Sequence, residues 1–210
     1  SDYAFRVKGA PEQAKTMQEI AFAAYTNFPQ GLEGGLEAVT YYDPPNLTFP
    51  FGAYVCVVDI DRGTGEVKIR EFLALDDCGT IINPMIVEGQ IHGGVAQGVG
   101  GALFERMAYD EHGQLLNASF MDFLMPYVTE VPDGIDIDHL ETPSPLNPLG
   151  IKGAGEAGVI PSAAVFAAAI EDAERLPVTA MPISPSELFE LRAAASAGRG
   201  TTPTPHEETR

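Results

Sequence analysis

Apolar positions from Pro11 to Tyr25 recur three and four apart, at Ala14, Met17, Ala21 and Ala24, and this spacing predicts a helix over 11–25. The stretch after it, Gly31 to Gly52, carries Pro44, Pro45 and Pro50, which forbid a helix. It is expected as an extended segment crossing a surface, with a short strand at Leu36–Tyr42. Two β-branched and aromatic runs follow, Ala53–Asp61 and Val67–Leu75, separated by the turn residues Arg62-Gly63-Thr64-Gly65, and they predict a hairpin. Asn83 and Pro84 look like a helix start, because Asn accepts orphan amides as an N-cap and Pro suits the first helical position. That helix is expected to run to about Glu105. Arg106–Tyr109 and Gln114–Phe120 flank the turn Asp110–Gly113 and predict a second hairpin. Gly134–Glu141 alternates imperfectly and is expected as a strand. Pro143, Pro145 and Pro148 stiffen the approach to a helix over Pro161–Arg175, apolar nearly all round and so expected to be buried. Ser184-Pro185-Ser186-Glu187 is a capping box that opens a last helix through about Ala195. Residues 197–210 lack an apolar anchor and are expected as a disordered tail, leaving 1–196 as the folded part. The fold class is α+β, in mixed layers of β-hairpins and helices.

The chain has 210 residues and a formal net charge of −18, from 12 Lys and Arg against 30 Asp and Glu. So acidic a chain does not suit nucleic acid or an anionic membrane surface, which need clustered Lys and Arg. Hydrophobic residues make up 45%, enough for a packed core. No run of about 18 apolar residues suggests a membrane span. The opening SDYAFRVKGAPEQ has no apolar core of a signal peptide, so none is expected. The two cysteines, Cys56 and Cys78, are too few for an iron–sulfur cluster, and no Cys/His pair has zinc spacing. Both are expected to be reduced, mostly buried thiols of a cytoplasmic protein.

Glycine usage departs from this ordinary picture. Met85–Glu105 contains Gly89, Gly93, Gly94, Gly98, Gly100 and Gly101. Each costs a helix about 1 kcal/mol relative to Ala, so something must offset the penalty. Gly89, Gly93, Gln97 and Gly101 fall in one row, and Gln90, Gly94 and Gly98 in the adjacent one. A face stripped of side chains admits another backbone or a flat ligand, and Gln97 projects from it with donors and an acceptor. Two readings stand: tight packing with Gln97 bonded to a backbone, or ligand binding. His92 sits off the row and is read as structural.

The second cluster is Gly150-Ile151-Lys152-Gly153-Ala154-Gly155-Glu156-Ala157-Gly158, with four further glycines' worth of backbone freedom around a single acid. It is not a Walker A loop, since the Lys-Ser/Thr ending is absent. Glu156 precedes an apolar helix, whose N-terminus favours its ionised form while burial disfavours it. Glu156 is either a helix cap or a carboxylate poised to serve as a base.

These motifs together resemble the molybdenum-binding large subunit of the xanthine dehydrogenase family, the molybdenum hydroxylases. Asp77, Gly79, Ile82, Asn83 and Pro84 match one pattern of that family. Gly89, Gln90, Gly93, Gln97 and Gly98 match a second, and Gly155 with Glu156 a third. LEAVTYYDPPNLTFPFGAYVCVVDID and SFMDFLMPY are most similar to the aerobic carbon-monoxide dehydrogenase branch of the family. The resemblance runs from about Gln13 to Leu191 and covers only the C-terminal quarter or so of such a subunit. It implies the fold of the second molybdopterin-binding domain. It implies that Gln97 contacts the pterin, and that Gly155 and Glu156 lie at the cofactor, with Glu156 beside molybdenum as the base. No residue of this chain is implied as a metal ligand. The implied cofactor is molybdenum–molybdopterin cytosine dinucleotide. Copper, held by a cysteine in that branch, would come from the missing part, because neither Cys56 nor Cys78 matches it. Iron–sulfur and FAD centres are expected on separate small and medium subunits. The implied activity is oxidation of carbon monoxide to carbon dioxide with water-derived oxygen, and activity is not expected without the rest of the subunit. A hydroxylase of aldehydes or N-heterocycles and a non-catalytic scaffold are the alternatives. The expected location is the cytoplasm, with the inner membrane face as a variant.

Overall fold

A computed structural model describes residues 3–199. The chain divides into two compact units, residues 1–43 and 44–210.

In the first unit, strands β1 (Ala4–Val7) and β2 (Ala10–Thr16) pair antiparallel, and helix α1 (Met17–Thr26) follows. The helix predicted over 11–25 is therefore half strand. Gly9, at φ +91°, turns the chain so that Ala14 and Lys15 pair with Arg6 and Phe5. The helix starts only where Thr16 accepts from the Glu19 amide and the Glu19 carboxylate accepts from the Thr16 amide, a reciprocal cap. The strand expected at Leu36–Tyr42 does not form, and that stretch is irregular.

The second unit holds the larger sheet. Strands β3 (Phe51–Ile60) and β4 (Val67–Asp77) form the expected hairpin, with a bulge between Val57 and Val58. Strand β5 (Ile135–Leu140) lies within the predicted span and joins the far side of β4 in parallel, giving the order β3-β4-β5. A parallel neighbour needs a long crossover, and helix α2 (Pro84–Val99) supplies part of it. Asn83 caps α2 as expected, its side chain accepting from the Ile86 amide, with Pro84 in the first turn. The helix widens into a π-helical turn over Gly100–Phe104 rather than staying α-helical to Glu105. The second hairpin is reduced to a single bridge, Tyr109 to Leu115. Its place is taken by Asn117, whose side chain accepts from the Ala108 amide at 2.9 Å and donates to the Arg106 carbonyl.

Helices α3 (Ser162–Glu174) and α4 (Pro185–Arg199) complete the unit. Only Ser162, Phe166 and Ile170 of α3 are buried, so one face packs rather than the whole circumference. The Ser184–Glu187 capping box forms in both directions, at 2.8 and 3.3 Å. Helix α4 carries the chain to Arg199, so the expected tail over 197–210 begins inside it; residues 200–210 lie outside the described residues. The core is one layer of helix against one face of sheet. Phe72 and Ala74 of β4 meet Ile91, Val95 and Val99 of α2, Phe166 and Ile170 of α3, and Leu188 of α4. Residues 91, 95 and 99 stand one above another on a helix, and residues 72 and 74 share a sheet face, so each element buries a single stripe. Each large side chain so buried contributes about 1.5–3 kcal/mol.

Candidate active site

Chain order places the three glycine-containing motifs far apart, and the fold joins them. β4 ends at Asp77, whose side chain is buried. One of its oxygens, Oδ1, accepts from the Gly79 amide at 2.9 Å, the Thr142 amide at 3.1 Å and the Lys152 ammonium at 3.1 Å. Burial alone would raise this carboxyl, but the bonds from Thr142, Gly79 and Lys152 outweigh it and hold it well below the usual carboxylate range. The backbones of the two loops also bridge. Gly79 faces Ile151 antiparallel, the Lys152 amide donates to the Cys78 carbonyl at 2.8 Å, and the Thr80 amide donates to the Gly150 carbonyl at 3.1 Å. Gly79 sits at φ +69° with its α-carbon against the Gly150 carbonyl, so a side chain there would be strained and would clash. The extended stretch before β3 passes over this joint, where the Thr48 carbonyl accepts from the Gly153 amide at 3.3 Å.

The glycine-rich helix meets the far end of the same loop. A Cβ on Gly94 would lie 2.8 Å from the Gly158 α-carbon and 2.9 Å from the Val159 nitrogen. Gly98 abuts Ser162, and Gly158 abuts the Ile91 carbonyl. Ser162 is fully buried and donates back to the Gly158 carbonyl at 2.7 Å. Gly94, Gly98 and Gly158 thus permit backbone-to-backbone packing between α2 and the start of α3. The other row behaves differently. Gly89, Gly93, Gln97 and Gly101 are all exposed, and a Cβ on any of the three glycines would meet nothing within 4 Å. Met85, one turn before Gly89, is 75% exposed.

Beneath the loop lies a polar layer on the inner face of the sheet. Asp76 is buried and accepts from the Tyr54 hydroxyl at 2.6 Å. Burial raises its carboxyl, partly countered by Tyr54 and His139. His139 stands opposite Asp76 in the β4–β5 register, and both its ring nitrogens are buried without a hydrogen-bond partner. Asp76 also lines a cavity of about 110 Å³ with Ala157, Ile160 and Pro161. A cleft of about 440 Å³ is built instead on the first residues of β4, Val67 to Ile69, far from these motifs. Cys78 is buried and Cys56 partly so, both unpaired, with burial pushing the Cys56 thiol up to about 12. Among the described residues no three His, Cys, Asp or Glu side chains gather to hold a metal ion, and no helix is long and apolar enough to cross a membrane.

The Gly94–Gly158 contact falls three residues before Gln97 and two after Glu156, so both candidate residues are rooted at one joint. The Gln97 side chain is exposed and bonds no described residue, so among the described residues it satisfies no neighbouring backbone. Glu156 is exposed as well, and it does not cap α3: the cap position is Pro161, with no side-chain bond. Gly155, beside it, is open on its Cβ side. His92 makes only a local contact, with the Glu88 carbonyl at 2.8 Å. Asp77 and Lys152, quoted in the motifs without a role, turn out to be the ion pair that ties two of them together. A lone lysine among four glycines, facing a run of two aspartates, was the available signal.

An open glycine row bearing an exposed amide, on the helix whose other row abuts the loop that carries exposed Glu156, leaves room for a flat polar group along the helix. Residues 1–132 match the family described as the molybdopterin cofactor-binding domain. The chain belongs to that family. It corresponds to part of a molybdenum hydroxylase large subunit and is closely related to carbon monoxide dehydrogenase. The carbon monoxide dehydrogenase large chain of Afipia carboxidovorans is 54% identical over 169 residues, 80% of this chain and 21% of that protein. The nicotine 6-hydroxylase large subunit of Paenarthrobacter nicotinovorans is 42% identical over 170 residues, again 80% and 21%. A crystal structure of a Cu,Mo-CO dehydrogenase in its carbon monoxide reduced state superposes with a TM-score of 0.78 at 47% identity, covering 92% of this chain and 24% of that one. This molybdopterin-binding chain therefore spans about a fifth to a quarter of the length of the relatives it matches.

Proposed function

We propose that this molybdopterin-binding stretch completes the active site of a large subunit that oxidises carbon monoxide to carbon dioxide, with Glu156 as the base. The observation that carries the reading is the joint at Gly94 and Gly158. Gln97 stands three residues from that joint on α2 and Glu156 two residues from it on the loop, and both side chains are exposed, which supports a shared site. The 54% identity to the carbon monoxide dehydrogenase large chain favours that substrate over others in the family.

Oxidation of CO by water yields CO₂, two protons and two electrons. The molybdenum cofactor, when bound, accepts the two electrons; we propose its cytosine dinucleotide form. Gln97 supplies amide donors and an acceptor to the pterin, and Gly89, Gly93, Gly101 and Gly155 leave the backbone free for its approach. Glu156 accepts a proton from the water-derived oxygen as that oxygen is transferred to substrate, the task of a carboxylate within hydrogen-bond reach. Copper and the substrate-facing residues belong to the remainder of the subunit, and small iron–sulfur and medium FAD-binding subunits take the electrons onward.

The 42% identity to a nicotine 6-hydroxylase supports a second reading, hydroxylation of an N-heterocycle, with the same role for Glu156. Purified, metallated enzyme assayed with CO and with a panel of heterocycles and aldehydes separates the two. Glu156→Gln keeps shape and hydrogen bonding but removes the basic site. It is expected to leave molybdenum content intact and lower turnover at least about 10²-fold. Near-normal turnover in a fully metallated Glu156→Gln enzyme would refute the assignment.

A further inference from the structure

The Lys152–Asp77 pair is costly for what it contributes. Their side chains are 15% and 5% exposed, and a buried ion pair gives little net stability compared with an apolar replacement. Its geometry offers a better account. Downstream of Lys152, the loop to Gly158 contains Gly153, Gly155 and Gly158 and is rich in backbone freedom. Its backbone bonds there are few: Gly153 to the Thr48 carbonyl at 3.3 Å, Ala157 to the Ala154 carbonyl at 3.4 Å and Val159 to the Glu156 carbonyl at 3.2 Å. The Glu156 carboxylate bonds no described residue, so its place is set by its backbone: by the local turn that Val159 and buried Ala157 hold, and by where the loop enters and leaves. The exit is fixed by Gly158 against Gly94. The entry is fixed by Lys152, the last side chain before Glu156 that is tied to the sheet. Its ammonium reaches the same Asp77 oxygen that holds Gly79 and Thr142, while its amide bonds Cys78.

We infer that the Lys152–Asp77 pair is the positioning device of the Glu156 loop, and that turnover depends on it although neither residue touches substrate. The inference rests on Glu156 as base. A carboxylate that must meet a reacting proton at hydrogen-bond distance tolerates little displacement, and a misplacement of about 1 Å can cost about 10²-fold in rate.

The test uses the assembled, metallated enzyme. K152M keeps an apolar stem of similar length and removes the charge. Its expected signature is kcat about 10- to 100-fold lower with KM nearly unchanged, molybdenum content retained, and faster amide hydrogen exchange confined to residues 153–157. K152R, which restores the cation, is expected to recover most of the kcat and the exchange protection. The double variant D77N/K152M is expected to be no slower than K152M, since the two residues act as one device. If K152M does not assemble, the double variant, which buries no unpaired charge, carries the same readouts. Wild-type kcat and unaltered exchange across 153–157 would overturn the inference. So would losses that follow molybdenum content and thermal stability alone, or a double variant markedly slower than K152M. E156Q runs in parallel. A metallated E156Q enzyme with normal turnover removes the base reading, while loosened exchange at 153–157 in K152M would still report the tether itself.

Discussion

Two rows of glycine on one helix make opposite predictions for the same substitution. Alanine at Gly89 or Gly93 adds a methyl into open space, since nothing lies within 4 Å of either Cβ position. The helix then gains about 1 kcal/mol at each from propensity. Alanine at Gly94 makes the same local gain, but its Cβ would sit 2.8 Å from the Gly158 α-carbon and 2.9 Å from the Val159 nitrogen. Both are backbone atoms, which cannot rotate away, so the overpacking cost belongs at the upper end, about 3 kcal/mol. The net is a loss of about 2 kcal/mol. Gly98→Ala drives a methyl into Ser162, which is fully buried and already bonded to Gly158, and a similar loss is expected. For a chain of this size about 2 kcal/mol is about 4–8 °C in Tm. Thermal unfolding of the four variants, followed by circular dichroism, should raise Tm by about 2–4 °C for Gly89→Ala and Gly93→Ala and lower it for the other pair. In the assembled enzyme the ranking should invert for cofactor. Gly89→Ala and Gly93→Ala, although stabilising, should reduce molybdenum content, because the methyl groups occupy the space proposed for the pterin. If all four substitutions moved Tm in one direction, the division of α2 into a packing row and an open row would be wrong.

Gln97→Ala should lower cofactor occupancy with Tm unchanged, because the exposed amide bonds no described residue. Loss of stability by about 1–3 kcal/mol, with cofactor content following it, would mean that Gln97 satisfies a buried group instead. Asp76 and Asp77 are adjacent, both buried, and should respond to pH in opposite senses. Asp77 is held low, so its contribution is complete above about pH 4 and is lost as pH falls toward its folded value. Asp76 is raised by burial, so its contribution is present below about pH 4 and is lost as pH rises through its folded value. Asp77→Asn should therefore cost about 3–5 kcal/mol at pH 7 and less at pH 3, by leaving Lys152 without its counter-charge. Asp76→Asn can still accept from Tyr54 and should be better tolerated at pH 7 than at pH 4; parallel pH trends in denaturant midpoints would contradict both assignments.

What could be read from the chain beforehand was whatever local chemistry decides. The β3–β4 hairpin, the Asn83–Pro84 start and the Ser184–Glu187 box each carry their determinants within a few residues, and each forms where expected. The misses occur where local signals were equivocal or a distant partner decides. Ala14 fits a helical stripe and a strand equally well, and Gly9 with the Thr16–Glu19 box was the overlooked punctuation that splits the segment. Leu36–Tyr42 has β-forming residues and no strand beside it, so it stays irregular. Asn117 replaces a ladder with two side-chain bonds, an outcome that alternation does not reveal.

The site shows the same division more sharply. Periodicity sorts the α2 glycines into rows but is silent about which row meets protein, because that depends on Gly158 and Ser162, some sixty residues on. The row with the more conspicuous spacing, ending in Gln97, is the open one; the neighbouring row carries the packing. Six glycines in one helical stretch therefore answer two separate demands. Gly94, Gly98 and Gly100 are packed within this chain's own fold, and their penalty is offset inside it. Gly89, Gly93 and Gly101 have no compensation among the described residues. A helix that leaves about 1 kcal/mol uncompensated at each of three positions is in keeping with the proposal that the pterin lies along that row.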